Sequence, residues 1–190
     1  MHQKGFGLIE LLIGLAITAM VLQLAVPALS DYAEGVRRET AAQHLASGMR
    51  NARNEAILRN QVVVMHALEE DWSRGWRIIL DRNGKGHEDA SNPLLLEHQD
   101  GADIPIVGNR PVKLFVRFSS LGEPLMPSGA FQAGTLHICA AREPVSHHQV
   151  VLSPSGRVSL RSNKAEQALV RGRGRIRAGS ERVALWAWRT

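Results

Sequence analysis

The sequence predicts an α+β protein, a long amino-terminal helix packed on an antiparallel β-sheet domain. Three observations predict it. From Phe6 to Leu29 the chain is apolar apart from Glu10, Thr18 and Gln23. From Ala33 to Ile57 small and apolar residues recur at three- and four-residue steps, the period of one helix face. From Gln61 onward the pattern changes to short apolar or alternating runs bounded by Gly, Pro and Asn, the punctuation of strands. With 190 residues, 44% of them hydrophobic, the chain has material for one ordinary core and is neither low-complexity nor collagen-like.

The amino terminus divides at Gly5. Residues 1–5 are short and polar with one cation, Lys4, and residues 6–29 are long enough to cross a bilayer as a helix. Lys4 precedes the apolar run and the next Lys or Arg is Arg37, which puts Met1 on the cytoplasmic side and the remainder outside. The competing reading is a secretory signal peptide cut near Ala28, with Val26 and Ala28 as its small residues. Glu10 argues against it. An acidic residue at the centre of a membrane helix costs about 2.5–3.5 kcal/mol and serves no purpose in a discarded leader. If residues 1–5 were removed, the new amino group of Phe6 would lie one helical turn from Glu10, giving that carboxylate an opposite charge at its own depth.

The run Lys4-Gly5-Phe6-Gly7-Leu8-Ile9-Glu10-Leu11-Leu12-Ile13 resembles the prepilin signature of type IV pilins and type II secretion pseudopilins. The resemblance implies that a prepilin peptidase cleaves after Gly5 and that Phe6 is N-methylated. It implies that Glu10 registers one subunit against the next, and that the partners are other pilin subunits, the peptidase and the inner membrane. The expected location is a single pass through the inner membrane, the globular part in the periplasm, and incorporation into a pilus or pseudopilus. Gly7 stands where threonine is commoner in that family.

Residues 30–59 continue the helix in amphipathic form, with Pro27 kinking rather than ending it. Ala33, Val36, Ala41, Leu45, Met49, Ala52, Ala56 and Ile57 make its inward stripe; Arg37, Arg38, Glu39, Arg50, Arg53 and Glu55 lie opposite. Residues 60–190 form the β-rich domain. Strands are expected over 62–68, 76–80, 112–118, 135–139, 150–152, 157–160 and 182–188, with a loop-rich spacer over 81–111.

Within this domain, Trp72-Ser73-Arg74-Gly75-Trp76 followed by Asp81-Arg82-Asn83-Gly84-Lys85-Gly86 resembles a strand and acidic turn of the GspH/FimT/FimU branch of pilin-like proteins. The runs 118–122, 135–139 and 151–158 fit later strands of that branch. Cys139 is the sole cysteine, so the disulfide found in some members cannot form here.

Asp81, Asn83 and Gly86 imitate the start of a calcium loop, but Lys85 occupies a ligand position and Asn92 stands where a bidentate Glu belongs, so a tight turn is expected. His137, Cys139, His147 and His148 carry zinc-type donors in a spacing that fits no known pattern, and no metal or other cofactor is expected. No nucleophile motif such as G-x-S-x-G occurs, so the reading is of a non-enzyme.

The charge is strongly one-ended. Residues 1–156 carry 14 Lys/Arg and 16 Asp/Glu, a net −2, whereas residues 157–190 carry nine against two, a net +7. Such an excess suggests a polyanionic partner. Its centre is Val170-Arg171-Gly172-Arg173-Gly174-Arg175-Ile176-Arg177, whose glycines disfavour a helix and whose alternation in an extended chain points all four arginines to one side. Successive arginines then stand about 6.6 Å apart, twice the strand rise. One strand of B-DNA offers a phosphate every ~3.4 Å, so the row meets alternate phosphates. Trp186 and Trp188 are read as covering a terminal strand, not as stacking on bases.

The same segment resembles the glycine-arginine-any-arginine motif of FimT-like minor pilins, which bind DNA in natural transformation. Two overlapping copies fit, at 172–175 and 174–177. The expected function is therefore a minor pilin binding double-stranded DNA through Arg171, Arg173, Arg175 and Arg177. The alternative is a structural FimU-like or GspH-like subunit that primes pilus or pseudopilus assembly without DNA. In a third reading the basic segment docks on anionic lipid headgroups.

Overall fold

The computed structural model describes residues 7–99, 101, 104–140 and 145–162. Helix α1 runs from Leu8 to Arg59 and passes unbroken through Pro27. Proline removes one backbone donor, and the absence of further breakers on either side lets the apolar run carry the helix onward. Asn60 ends it in the left-handed conformation at φ 51°, with the carbonyls of Ala56 and Ile57 capped by its own N–H.

Among the described residues, the first half of α1 packs against no other element: Leu8, Leu11, Leu15, Met20 and Leu29 are exposed, in a segment long and apolar enough to cross a membrane. The second half turns a stripe of small residues to the core. Ala42, Leu45, Ala46, Met49, Ala52 and Ala56 are essentially fully buried, while of the other residues expected on this stripe Ala33 is exposed and Val36 and Ile57 stay about half exposed. Alanine at most of these positions lets the sheets approach the helix axis closely.

Two four-stranded antiparallel sheets pack against that stripe. The first has the order β3(Leu94–Gln99), β2(Asp71–Leu80), β1(Val63–Leu68), β5(Phe115–Phe118). The second has the order β4(Ile106–Gly108), β6(Gly134–Cys139), β7(Ser146–Leu152), β8(Val158–Arg161). Alternation selects the inward set in each: Val63, Met65, Ile78, Val116 and Phe118 in the first, Leu136, Ile138, Val150 and Leu152 in the second. Each such side chain, fully removed from water, contributes roughly 1.5–3 kcal/mol of burial free energy.

Strands β3 and β4 fall inside the segment expected to be loop-rich. Strand β3 is a sheet edge with Leu94 and Leu96 still substantially exposed, so its pattern is not that of a buried strand, and β4 has only three residues. The expected strand at 112–118 is shortened to 115–118 because Arg110–Val112 forms a 3-10 turn. The expected strand over 182–188 lies outside the described residues.

Candidate functional site

Gly5 and Phe6 lie outside the described residues, as do Arg171, Arg173, Arg175 and Arg177. Of the residues expected to serve processing, assembly or DNA binding, Glu10 is among those described. It sits in the first turn of α1, and its Oε2 accepts the backbone N–H of Gly7 at 3.1 Å. The carboxylate thus folds back toward the amino-terminal end of the helix, where the helix dipole and unpaired N–H groups favour negative charge. The three-residue reach from Glu10 to Gly7 is a capping-box geometry. Among the described residues, α1 is the one helix long and apolar enough to cross a membrane.

At the other end of the molecule the described chain finishes on β8. Along this strand Val158 and Leu160 face the core, so Arg157, Ser159 and Arg161 face outward. Register extends the outer face across the sheet: Arg161 stands opposite Gln149, and Gln149 opposite His137. The four strands of this sheet contain no Asp or Glu. Two further arginines tie α1 to the same side, Arg50 donating to the Val158 carbonyl at 3.4 Å and Arg53 to the Gly122 carbonyl at 2.9 Å.

The Asp81 turn closes on itself. Oδ1 of the buried Asp81 accepts the N–H groups of Gly84 at 2.9 Å and Gly86 at 3.1 Å, and Asn83 Oδ1 accepts the N–H of Lys85 at 3.0 Å. Asn92 donates to the Gly86 carbonyl at 2.8 Å, and the guanidinium of Arg117 stands 3.6 Å from Asp81 Oδ2, where a calcium ion would need to be. The residues that imitate a calcium loop are thus engaged in holding the turn.

The zinc-type donors are not brought together. His148 pairs with Ile138 and His137 with Gln149, so the two imidazoles project from opposite faces of the sheet. His137 Nδ1 lies 3.2 Å from Ser146 Oγ, and Cys139 is buried, which pushes its thiol pKa up and makes it a poor thiolate ligand. Among the described residues no group of three or more His, Cys, Asp or Glu is placed to hold a metal ion. One close pair was missed in the sequence: His44 on α1 and His98 on β3, 3.2 Å apart between Nδ1 and Nε2. Fifty-four positions separate them and β3 was not foreseen, so no local pattern announces the contact.

Comparison with known proteins agrees with this geometry. A family model described as Type II transport protein GspH matches residues 41–156, and one described as Prokaryotic N-terminal methylation motif matches residues 1–22. The pilin-like protein PilA1 of Thermus thermophilus is 35% identical over 98 residues, covering 52% of this chain and 61% of that one. A fimbrial protein of Pseudomonas aeruginosa is 32% identical over 103 residues, covering 52% and 63%. The chain thus spans about three fifths of the length of these curated relatives.

Two crystal structures of the type IV minor pilin FimU of Pseudomonas aeruginosa share the fold at 21% identity. Their TM-scores are 0.56 and 0.53; they cover 71% and 67% of this chain, and 97% of each FimU chain is covered. With a methylation-type amino terminus, a single long helix and two antiparallel sheets matching over these spans, the chain belongs to the GspH/FimT/FimU family of type IV pilin-like proteins.

Proposed function

We propose that the protein is a minor pilin which binds double-stranded DNA through Arg171, Arg173, Arg175 and Arg177. Residues 6–29 hold it in the inner membrane, with the sheets in the periplasm, until it enters a filament. In this reading the peptidase cuts after Gly5, Phe6 is methylated, and Glu10 meets the amino group of a neighbouring subunit within the lipid. The role is one of assembly and binding, with no reaction catalysed.

The observation that carries the DNA reading is the distribution of charge. The arginine row begins ten residues after Arg161, in a segment of net +7, and the strand it follows is the edge of a sheet whose strands carry no carboxylate. A polyanion approaching the row therefore meets no acidic side chain on those strands. Glycines at 172 and 174 allow close backbone approach, and guanidinium groups grip phosphate in a fork.

The test is a titration of the full chain, in detergent micelles, with labelled duplex DNA at several salt concentrations. Four neutralised phosphates give a slope of about −3.6 in log K against log salt, −0.9 for each contact. Changing Arg173, Arg175 and Arg177 to Ala should abolish most of the affinity and flatten the slope. Unchanged affinity in that variant would leave a structural, assembly-priming subunit as the reading. Binding of the wild type to anionic vesicles but not to DNA would redirect the row to lipid headgroups.

A further inference from the structure

We propose that acidic phospholipid headgroups occupy the arginine row while the subunit sits in the membrane, so that the row is free for DNA only once the subunit has left the bilayer for a filament. Resting on the membrane anchor and the DNA-binding row proposed above, this contact decides when that row is available. It is carried by the direction in which β8 leaves its sheet. Gly156, two residues before β8, lies beside Arg53 of α1: a Cβ on it would stand 2.8 Å from Nε and 3.4 Å from Cδ of that arginine. The Val158 carbonyl then accepts a hydrogen bond from Arg50. At the far end of the strand, Arg161 pairs with Gln149, and Ser162 Oγ lies 3.3 Å from Nδ1 of His148, an imidazole close enough to feel the charges of Glu39 and Arg38. Strand β8 therefore descends from the level of Arg53 to that of Glu39. The helix rises about 21 Å between those two residues, and an extended chain covers about 20 Å from Gly156 to Ser162, so the two measures agree.

The chain thus leaves the sheet on the side that faces the bilayer. Measured along α1, Glu39 stands about 15 Å beyond Leu29, where the apolar run ends. The headgroup layer extends roughly 5–7 Å past the hydrocarbon, which puts the membrane surface about 8–10 Å below Ser162. Arg171 follows Ser162 by nine residues, a contour of up to about 30 Å, and the row from Arg171 to Arg177 adds about 20 Å. All four guanidinium groups are within reach of headgroup phosphates. Residues 163–190 carry seven Lys/Arg against two Glu, and an anionic surface attracts such a segment over a Debye length, about 8–10 Å at ordinary salt. The fork that grips a DNA phosphate grips a lipid phosphate in the same way, so the two compete for one set of arginines. Extraction of the subunit into a filament removes the lipid and leaves the row to DNA.

The test uses the full chain in lipid nanodiscs, with a thiol-reactive fluorophore placed through Ile176→Cys; the native Cys139 is buried and escapes brief labelling. Quenching by phosphatidylcholine spin-labelled on its headgroup reads how close the probe lies to the membrane surface. In discs containing phosphatidylglycerol the probe should lose at least half its intensity, and excess duplex DNA should restore it. In discs of phosphatidylcholine alone the loss should be small, as it should be in anionic discs when Arg171, Arg173, Arg175 and Arg177 are all changed to Ala. A probe placed through Ser155→Cys, at the opposite end of β8, should stay bright in both kinds of disc. An unquenched probe at position 176 in anionic discs, or equal quenching in the four-alanine variant or at position 155, overturns the proposal. The DNA reading fails by a different result: no DNA binding in neutral detergent micelles sinks it, while quenching at 176 that depends on the arginines still establishes the lipid contact.

Discussion

Gly48 of α1 lies directly beneath the indole of Trp76: a Cβ placed on it would stand 2.6 Å from Cζ2 and 2.8 Å from Cη2 of the ring, with Met65 Cε at 3.0 Å. Real Cβ contacts are never so short, so the indole or the helix must move to admit a methyl group. Gly48→Ala, ordinarily favourable in a helix, is expected to destabilise the protein by about 1–3 kcal/mol through overpacking. Denaturant titration measures it, and a variant as stable as the parent would mean that the helix and β2 are not in such close contact.

Gln132 is wholly buried and serves three backbone groups. It accepts the N–H of Arg117 at 2.9 Å and donates to the carbonyls of Pro111 at 2.5 Å and Phe115 at 2.8 Å. Leucine there would strand all three, and each buried unsatisfied group costs about 1–3 kcal/mol. Gln132→Leu should therefore lower stability by at least about 2 kcal/mol. Gln132→Glu should do no better at neutral pH, since a carboxylate would face two carbonyl oxygens.

The β1–β2 hairpin turns on two glutamates in the left-handed region, Glu69 at φ 48° and Glu70 at φ 62°. Two-residue turns of this kind favour Asn-Gly, because side chains with a full Cβ lose about 1–2 kcal/mol in that conformation. Replacing the pair by Asn-Gly should raise stability by about 1 kcal/mol even though the exposed Glu69–Arg74 ion pair is lost, exposed pairs being worth little. Thermal unfolding of the double variant is the check.

Acid should weaken the fold through its histidines. Burial lowers the pKa of His66, with the neighbouring His87 and Arg77 adding to the effect against the Ala67 carbonyl, and burial also lowers His137 and His148 below their ordinary 6.5. Each binds a proton more readily unfolded than folded, so stability is undiminished above pH 6.5 and declines as pH falls below that value. Melting temperatures from pH 8 to pH 5 should show this fall, and His66→Gln should reduce its steepness. A flat profile across that range would contradict the burial of these rings.

Much of this architecture was legible in the residues. The span of α1 was set by its periodicity, and Leu45, Met49, Ala52 and Ala56 face inward as their spacing requires. Val36 does not, because the sheets pack only from Ala41 onward and leave the preceding turns exposed. Strand β3 escaped notice because an exposed edge strand carries Leu94 and Leu96 where a half-buried strand would show polar residues. The His44–His98 contact depended on that strand, so it too became visible only in three dimensions. The Asp81 turn was foreseen as a turn, and Arg117, which completes it, comes from a strand distant in sequence.

The claim on which the rest depends is that this is an anchored filament subunit whose Glu10 is retained at the start of a mature chain. Intact mass and amino-terminal sequencing of the protein recovered from membranes test it most directly. The recovered chain should begin at Phe6, carry one methyl group on its amino nitrogen, and stay with the membrane fraction. A soluble exported chain beginning near Leu29, with residues 6–28 gone, would contradict it.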